Sequence, residues 1–145
     1  MRVPLRILPP MLLMLAGAAC SGQPGDAASA SPAIPECAAA GAVVPLPDAF
    51  PDDFPLPAGT RITDVQETDD GVLLVGGVIP GSLGTAATFF SDEIPAAGFE
   101  AGDGDAEQDE AEASFWREGS EGSWKVHSIL DCPTAVTLTV AIASD

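Results

Sequence analysis

The sequence predicts an α+β domain: a two-layer fold with one helix on an antiparallel sheet of about five strands, in the order β-β-α-β-β-β, behind a Pro-rich extended collar. Three observations carry this. "VTLTVAIA" at 136–143 alternates, with Val136, Leu138, Val140 and Ile142 facing one way, the period of a strand with one buried face. Leu83, Ala86, Ala87, Phe90, Ile94 and Ala97 recur at helical spacing. Short, turn-like breaks separate several of the apolar runs, which favours hairpins and antiparallel pairing.

The elements follow in chain order. Residues 61–68 have strand character, and "TDDG" at 68–71 turns the chain. "VLLVGGVI" at 72–79 is apolar on both faces, the pattern of a central strand, and Gly76-Gly77 inside it marks a bulge or a close backbone approach. Ser82 is the N-cap of the helix, and Pro95 should end or kink it near Glu93 or Ile94. Residues 110–117 and 124–130 alternate as strands, with "EGSEGS" at 118–123 turning between them and "DCPT" at 131–134 preceding the last strand. Upstream, residues 43–57 interleave five prolines with Val44, Leu46, Phe50, Phe54 and Leu56. Prolines at that density favour extended polyproline II, and the apolar residues between them predict a collar lying on the core. Small, polar residues fill much of 20–42, which reads as a flexible tether. The resulting division is a signal segment at 1–19, tether at 20–42, collar at 43–57 and domain at 58–145.

The chain has 145 residues, room for one domain plus extensions, with 22 acidic and 5 basic residues and a net charge of −17. Nucleic-acid affinity rests on neutralising phosphates with Lys and Arg, so this balance excludes nucleic acid as a partner. It equally disfavours docking on anionic headgroups.

Residues 13–25 read "LMLAGAACSGQPG". Arg2 and Arg6 open the chain without an acid nearby, and residues 7–19 are almost wholly apolar. That run is too short for a spanning helix, which needs about 20 residues. A positive start, a short apolar run and small residues before a break describe an export signal. Ala16-Gly17-Ala18 fits ordinary secretion, with cleavage before Ala19. Gly17-Ala18-Ala19-Cys20, with Leu15 and Ala16 ahead, resembles the looser form of the lipobox of bacterial lipoproteins, with Gly17 where an aliphatic residue is usual. The resemblance covers about residues 1–21. It implies cleavage before Cys20, a diacylglyceryl thioether on Cys20, further acylation of its amine with a chain such as palmitate, and a domain anchored by lipid on the extracytoplasmic side of the cell membrane. The cysteine count favours this second reading. With Cys20 lipidated, Cys37 and Cys132 remain as an even pair for a disulfide in an oxidising compartment. Loss of Arg2 and Arg6 would leave 3 basic and 22 acidic residues, a net of −19.

Candidate chemistry is sparse. "EAGDGDAEQDEAE" at 100–112 reads as an exposed acidic loop in which Asp103, Asp105, Glu107 and Asp109 alternate as calcium ligands often do. An EF-hand starting at Asp103 needs Gly at its sixth position and Glu at its twelfth, where this chain has Gln108 and Ser114. The four acids stay weak cation candidates, and no metal or cofactor is assigned. His127, the only histidine, is the handle for a hydrolase reading with nearby carboxylates such as Asp131, but no nucleophile motif accompanies it and no catalytic residue is assigned. Trp116 and Trp124 flank the "EGSEGS" turn. A register symmetric about Ser120 pairs them on one face, and a slip by one residue parts them. Both a core contact and an exposed aromatic platform for glycan or peptide are open at this point. The expected function is a lipid-anchored, non-enzymatic domain binding a partner protein or an envelope component. The alternatives are a hydrolase-type envelope enzyme and a structural envelope protein.

Overall fold

The computed structural model describes residues 31–38 and 41–144. Cys20 and the signal segment lie outside the described residues. The fold is α+β, with one helix on an open sheet of six antiparallel strands: β1 (Arg61–Glu67), β2 (Val72–Pro80), α1 (Leu83–Ala96), β3 (Glu100–Ala106), β4 (Glu110–Arg117), β5 (Ser120–Ile129) and β6 (Cys132–Ser144). The sheet order is β1-β2-β6-β5-β4-β3. Helix α1 carries the chain from β2 across one face to the far edge, and β3 to β6 return as a meander until β6 lies beside β2.

Alternation builds the core. Val136, Leu138, Val140 and Ile142 of β6 share a face with Leu73, Val75 and Ile79 of β2, Trp124 and Val126 of β5, and Ala111 and Phe115 of β4. Helix α1 lays Ala86, Phe90 and Ile94 on that face, and Phe90 stacks on Trp124 at 5.0 Å between centroids. Ser82 caps the helix by accepting from the Thr85 amide.

The helix runs to Ala96, two residues past Ile94, the later of the two expected stops. Its end explains why. Gly98 has φ +87°, the Gly98 amide donates to the Pro95 carbonyl, and the Phe99 amide donates to the Ile94 carbonyl, which together form a Schellman motif. Pro95 therefore stands in the last turn, where its missing N–H costs only one bond. Gly77 confirms a close approach: a Cβ there would lie 2.7 Å from the Arg61 carbonyl oxygen, beside a bulge in β1 between Ile62 and Asp64.

Three expectations change. The acidic run is not a loop, because residues 100–106 form edge strand β3, paired with β4 alone. It lacks apolar alternation because it is exposed on both faces, so periodicity had nothing to register. The hairpin turns are tighter than the turn-rich sequence suggested. β5 begins at Ser120 after Glu118-Gly119, and β6 begins at Cys132 after Leu130-Asp131. With β3 added, the sheet has six strands rather than about five.

The collar is the third change. Residues 47–54 contain two tandem Pro-Asp-x-Phe turns, in which the Phe50 amide donates to the Pro47 carbonyl and the Phe54 amide to the Pro51 carbonyl. The repeat sends both rings into the helix layer. Phe54 lies 5.1 Å from Phe115 and 5.8 Å from Phe99, and Phe50 packs edge-on to Phe54 at 5.4 Å. The opposite sheet face is covered at one end by a different segment, part of the expected tether. There Ala38 of the short 3-10 turn Glu36–Ala38 packs with Val78, Cys132 and Ala135, flanked by Ile34 and Ile129. The disulfide Cys37–Cys132 holds that turn in place.

If the Pro-rich segment is part of the core, truncating its central ring should behave as a core deletion. Phe54→Ala is expected to lower stability by about 3–5 kcal/mol, read from urea unfolding midpoints. A loss under about 1 kcal/mol would mean that the segment only rests on the domain.

Candidate functional site

The sheet face away from α1 carries the candidate site. Register sends Ser114 and Trp116 of β4, Glu121 and Ser123 of β5, Ala141 and Ala143 of β6, and Val72 of β2 to this face. Most of these side chains are small, so the surface dips. The hollow they line has a volume of about 400 Å³. Trp116 stands at its rim, 40% exposed, whereas most large apolar side chains of the sheet are buried. The ring leans on β3, where a Cβ at Gly102 would collide first with the Ser114 hydroxyl and then, at 2.9 Å, with Cζ3 of the indole. Glycine at 102 thus leaves room for the Ser114 hydroxyl and the ring, and the hollow lies on the ring's other side.

Trp124 does not join it. The two-residue turn pairs Arg117 with Ser120, so Trp116 faces Glu121 and Trp124 faces Ala113. The symmetric register about Ser120 is not formed, and the two rings occupy opposite faces. Trp124 is 5% exposed and belongs to the core.

The same register brackets Trp116 with charge. Glu121 lies across from it on β5 and Glu100 across from it on β3. Neither carboxylate has an ion-pair partner among the described residues. Farther along the face, Lys125 reaches Glu112 at 2.7 Å and Glu110 at 3.1 Å, and the bonds to Glu112 and Glu110 push its pKa up. That cation is already neutralised.

His127 is exposed on β5. Its Nδ1 lies 2.7 Å from the Ser128 carbonyl, and its Nε2 lies 3.4 Å from Asp109. A neutral imidazole carries one N–H, so it serves one of these two acceptors at a time, and the Thr137 hydroxyl across the ladder donates to the His127 carbonyl. Asp131 sits in the β5–β6 turn at φ +60°. Asp103 and Asp105 lie on β3, with Glu107 and Asp109 in the link to β4. Among the described residues no three His, Cys, Asp or Glu side chains gather as a metal-holding group. No described helix is long and apolar enough to cross a membrane.

On the helix side, Arg117 makes a bidentate pair with Asp53 at 2.6 and 2.8 Å, and its guanidinium lies 4.2 Å from the Phe99 ring centroid. Sequence reading missed this site, since its parts are 64 residues apart. The hydrogen bonds from Arg117 hold the Asp53 pKa below the ordinary carboxylate value. A lowered acid pKa in the folded state stabilises above the unfolded value of about 3.9, and the contribution fades as pH falls through the folded value. Lys125 is the opposite case: its raised pKa stabilises at neutral pH and the contribution fades as pH rises through the raised value. Asp53→Asn should therefore be less stable than wild type at neutral pH, and the difference should close below about pH 4. Urea midpoints measured against pH check this. A difference that persists undiminished at pH 2 would mean that packing rather than charge holds Asp53.

No family model, curated protein or solved structure matches this chain, so its site geometry and its sequence are what its function can be read from.

Proposed function

We propose that the chain is an exported lipoprotein, anchored through Cys20, whose folded domain is a binding module, and that the sheet face bearing Trp116 is where it binds. One observation carries the binding reading: a large aromatic ring stands half-exposed beside a hollow of about 400 Å³ on a sheet face that the helix leaves uncovered. A ring exposed there gives up the burial its neighbours enjoy, and exposed aromatics beside hollows are the residues that anchor interfaces. The anchoring reading rests on the lipobox-like Gly17-Ala18-Ala19-Cys20. A disulfide between the remaining two cysteines fits an oxidising compartment. The hydrolase alternative would need a nucleophile aimed at His127, and the hydroxyl opposite it in register, that of Thr137, donates to the His127 backbone carbonyl instead.

Two measurements on the full-length protein in its native membrane test the two halves. Wild type should partition into the detergent phase and Cys20→Ala should not; equal partitioning refutes the anchor. A photo-crosslinking residue at Ser123, in the hollow, should form an adduct that Trp116→Ala abolishes. The same probe at Thr88, exposed on α1, should form none. Identical adducts from both positions, or none from either, would refute the binding face.

A further inference from the structure

We infer that the Trp116 hollow receives the guanidinium of an arginine carried on an extended, basic segment of a partner protein. The indole supplies the face, Glu121 in the hollow supplies the counter-charge, and Glu100, on the far side of the ring, adds to the negative field. This deepens the binding-face reading and rests on it.

The argument begins inside the molecule. Arg117 shows what this chain does with a guanidinium: an aromatic face lies on one side, Phe99 at 4.2 Å, and a carboxylate grips the fork, Asp53 at 2.6 and 2.8 Å. On the opposite face of the same strand, one residue earlier, the same chemical parts recur without their cation. Trp116 is exposed, indole is the best of the side-chain rings for holding a cation, and its two cross-strand neighbours are the unpaired Glu121 and Glu100. An exposed indole beside an acid in the same hollow, with no cation among the described residues pairing that acid, is an incomplete set. Arginine completes it better than lysine, because a planar fork stacks on indole while it bonds a carboxylate.

Charge and shape then select the occupant. A net charge of −17 draws a basic partner and repels an acidic one. The acids do not stop at the hollow. Asp103 and Asp105, which pair with no cation among the described residues, line an adjoining depression on the same side of the sheet, so successive cations along one extended segment find successive carboxylates. The floor of small side chains, Ser123, Ala141 and Ala143, lets a backbone lie close.

The test uses the full-length lipidated protein in neutral detergent at about physiological salt, with an acetylated and amidated hexa-arginine peptide as probe. Hexa-glutamine serves as the neutral control. Hexa-arginine should bind and change the fluorescence of Trp116, and hexa-glutamine should not. Glu100→Gln with Glu121→Gln should weaken binding about tenfold, and Trp116→Leu by a similar factor, while Trp116→Phe should recover most of it. Glu67→Gln with Asp70→Asn removes the same charge elsewhere and should change binding less than twofold. Equal weakening by both charge pairs would overturn the inference, leaving only the general field of an acidic protein. So would full affinity in Trp116→Leu. Arginine amide binding as tightly as the hexapeptide would replace the segment with a lone small cation. Should the Ser123 adduct form in membranes while hexa-arginine fails to bind, the inference falls and the binding face stands.

Discussion

β6 runs between β2 and β5, and the two halves of the sheet meet nowhere else. On one side it pairs with β2 from Pro80↔Ala135 to Val72↔Ala143, without a shift; on the other it pairs with β5 from Ile129↔Cys132 to Ser120↔Ser144. The β1–β2 hairpin and the β3–β5 meander would each leave an open apolar edge without it. Helix α1 depends on the same strand, since the face it covers is a continuous sheet only when β6 joins the halves. The uncovered face follows as well. Thr137 and Thr139 point away from the helix with Ala141 and Ala143, and the last two small residues make the dip beside Trp116.

The strands with a strong apolar period were legible because burial imposes that period. Val136 to Ile142 and the stripe from Leu83 to Ile94 report which face meets the core. β3 was hidden for the same reason: an edge strand exposed on both faces has no burial to record, and its acids and glycines read as a loop. Its composition has a use there, because charge and a bulge discourage a second chain from adding to the edge. Pro95 misled by two residues because proline was weighed without Gly98 and Phe99, whose amides close the helix end. Of the candidate site, Trp116 was visible as a residue but its face was not. That depended on whether the turn held two residues or more, and "EGSEGS" offers several turns of similar chemistry. The tandem Pro-Asp-x-Phe turns were present in the letters, and their function emerges only when both rings are seen entering one cluster.

β4 gathers opposite tasks on alternate residues. Phe115 goes into the core, Trp116 to the uncovered face, and Arg117 back to the helix side, where it ties the Pro-rich turns through Asp53. Local packing and the proposed recognition surface thus share one stretch of backbone. A register slip in β4 would exchange the two faces at once, burying an indole beside carboxylates and exposing Phe115. The bulge of β3 and the full β4–β5 ladder hold that register from both sides.

The Cys37–Cys132 bond also decides how the domain answers to tension. Sequence order would deliver a pull from upstream first to the Pro-rich turns, peeling Phe50 and Phe54 away before reaching the sheet. The bond reroutes it. Force arriving at Cys37 passes directly to Cys132, the first residue of β6, and the stretch between the two sulfurs is bypassed although they are 95 positions apart. Against a load taken up at the far end of β6, it then runs along a strand flanked on both sides, so two ladders are sheared together rather than unzipped bond by bond. The chain enclosed by the bond contributes no slack to that path.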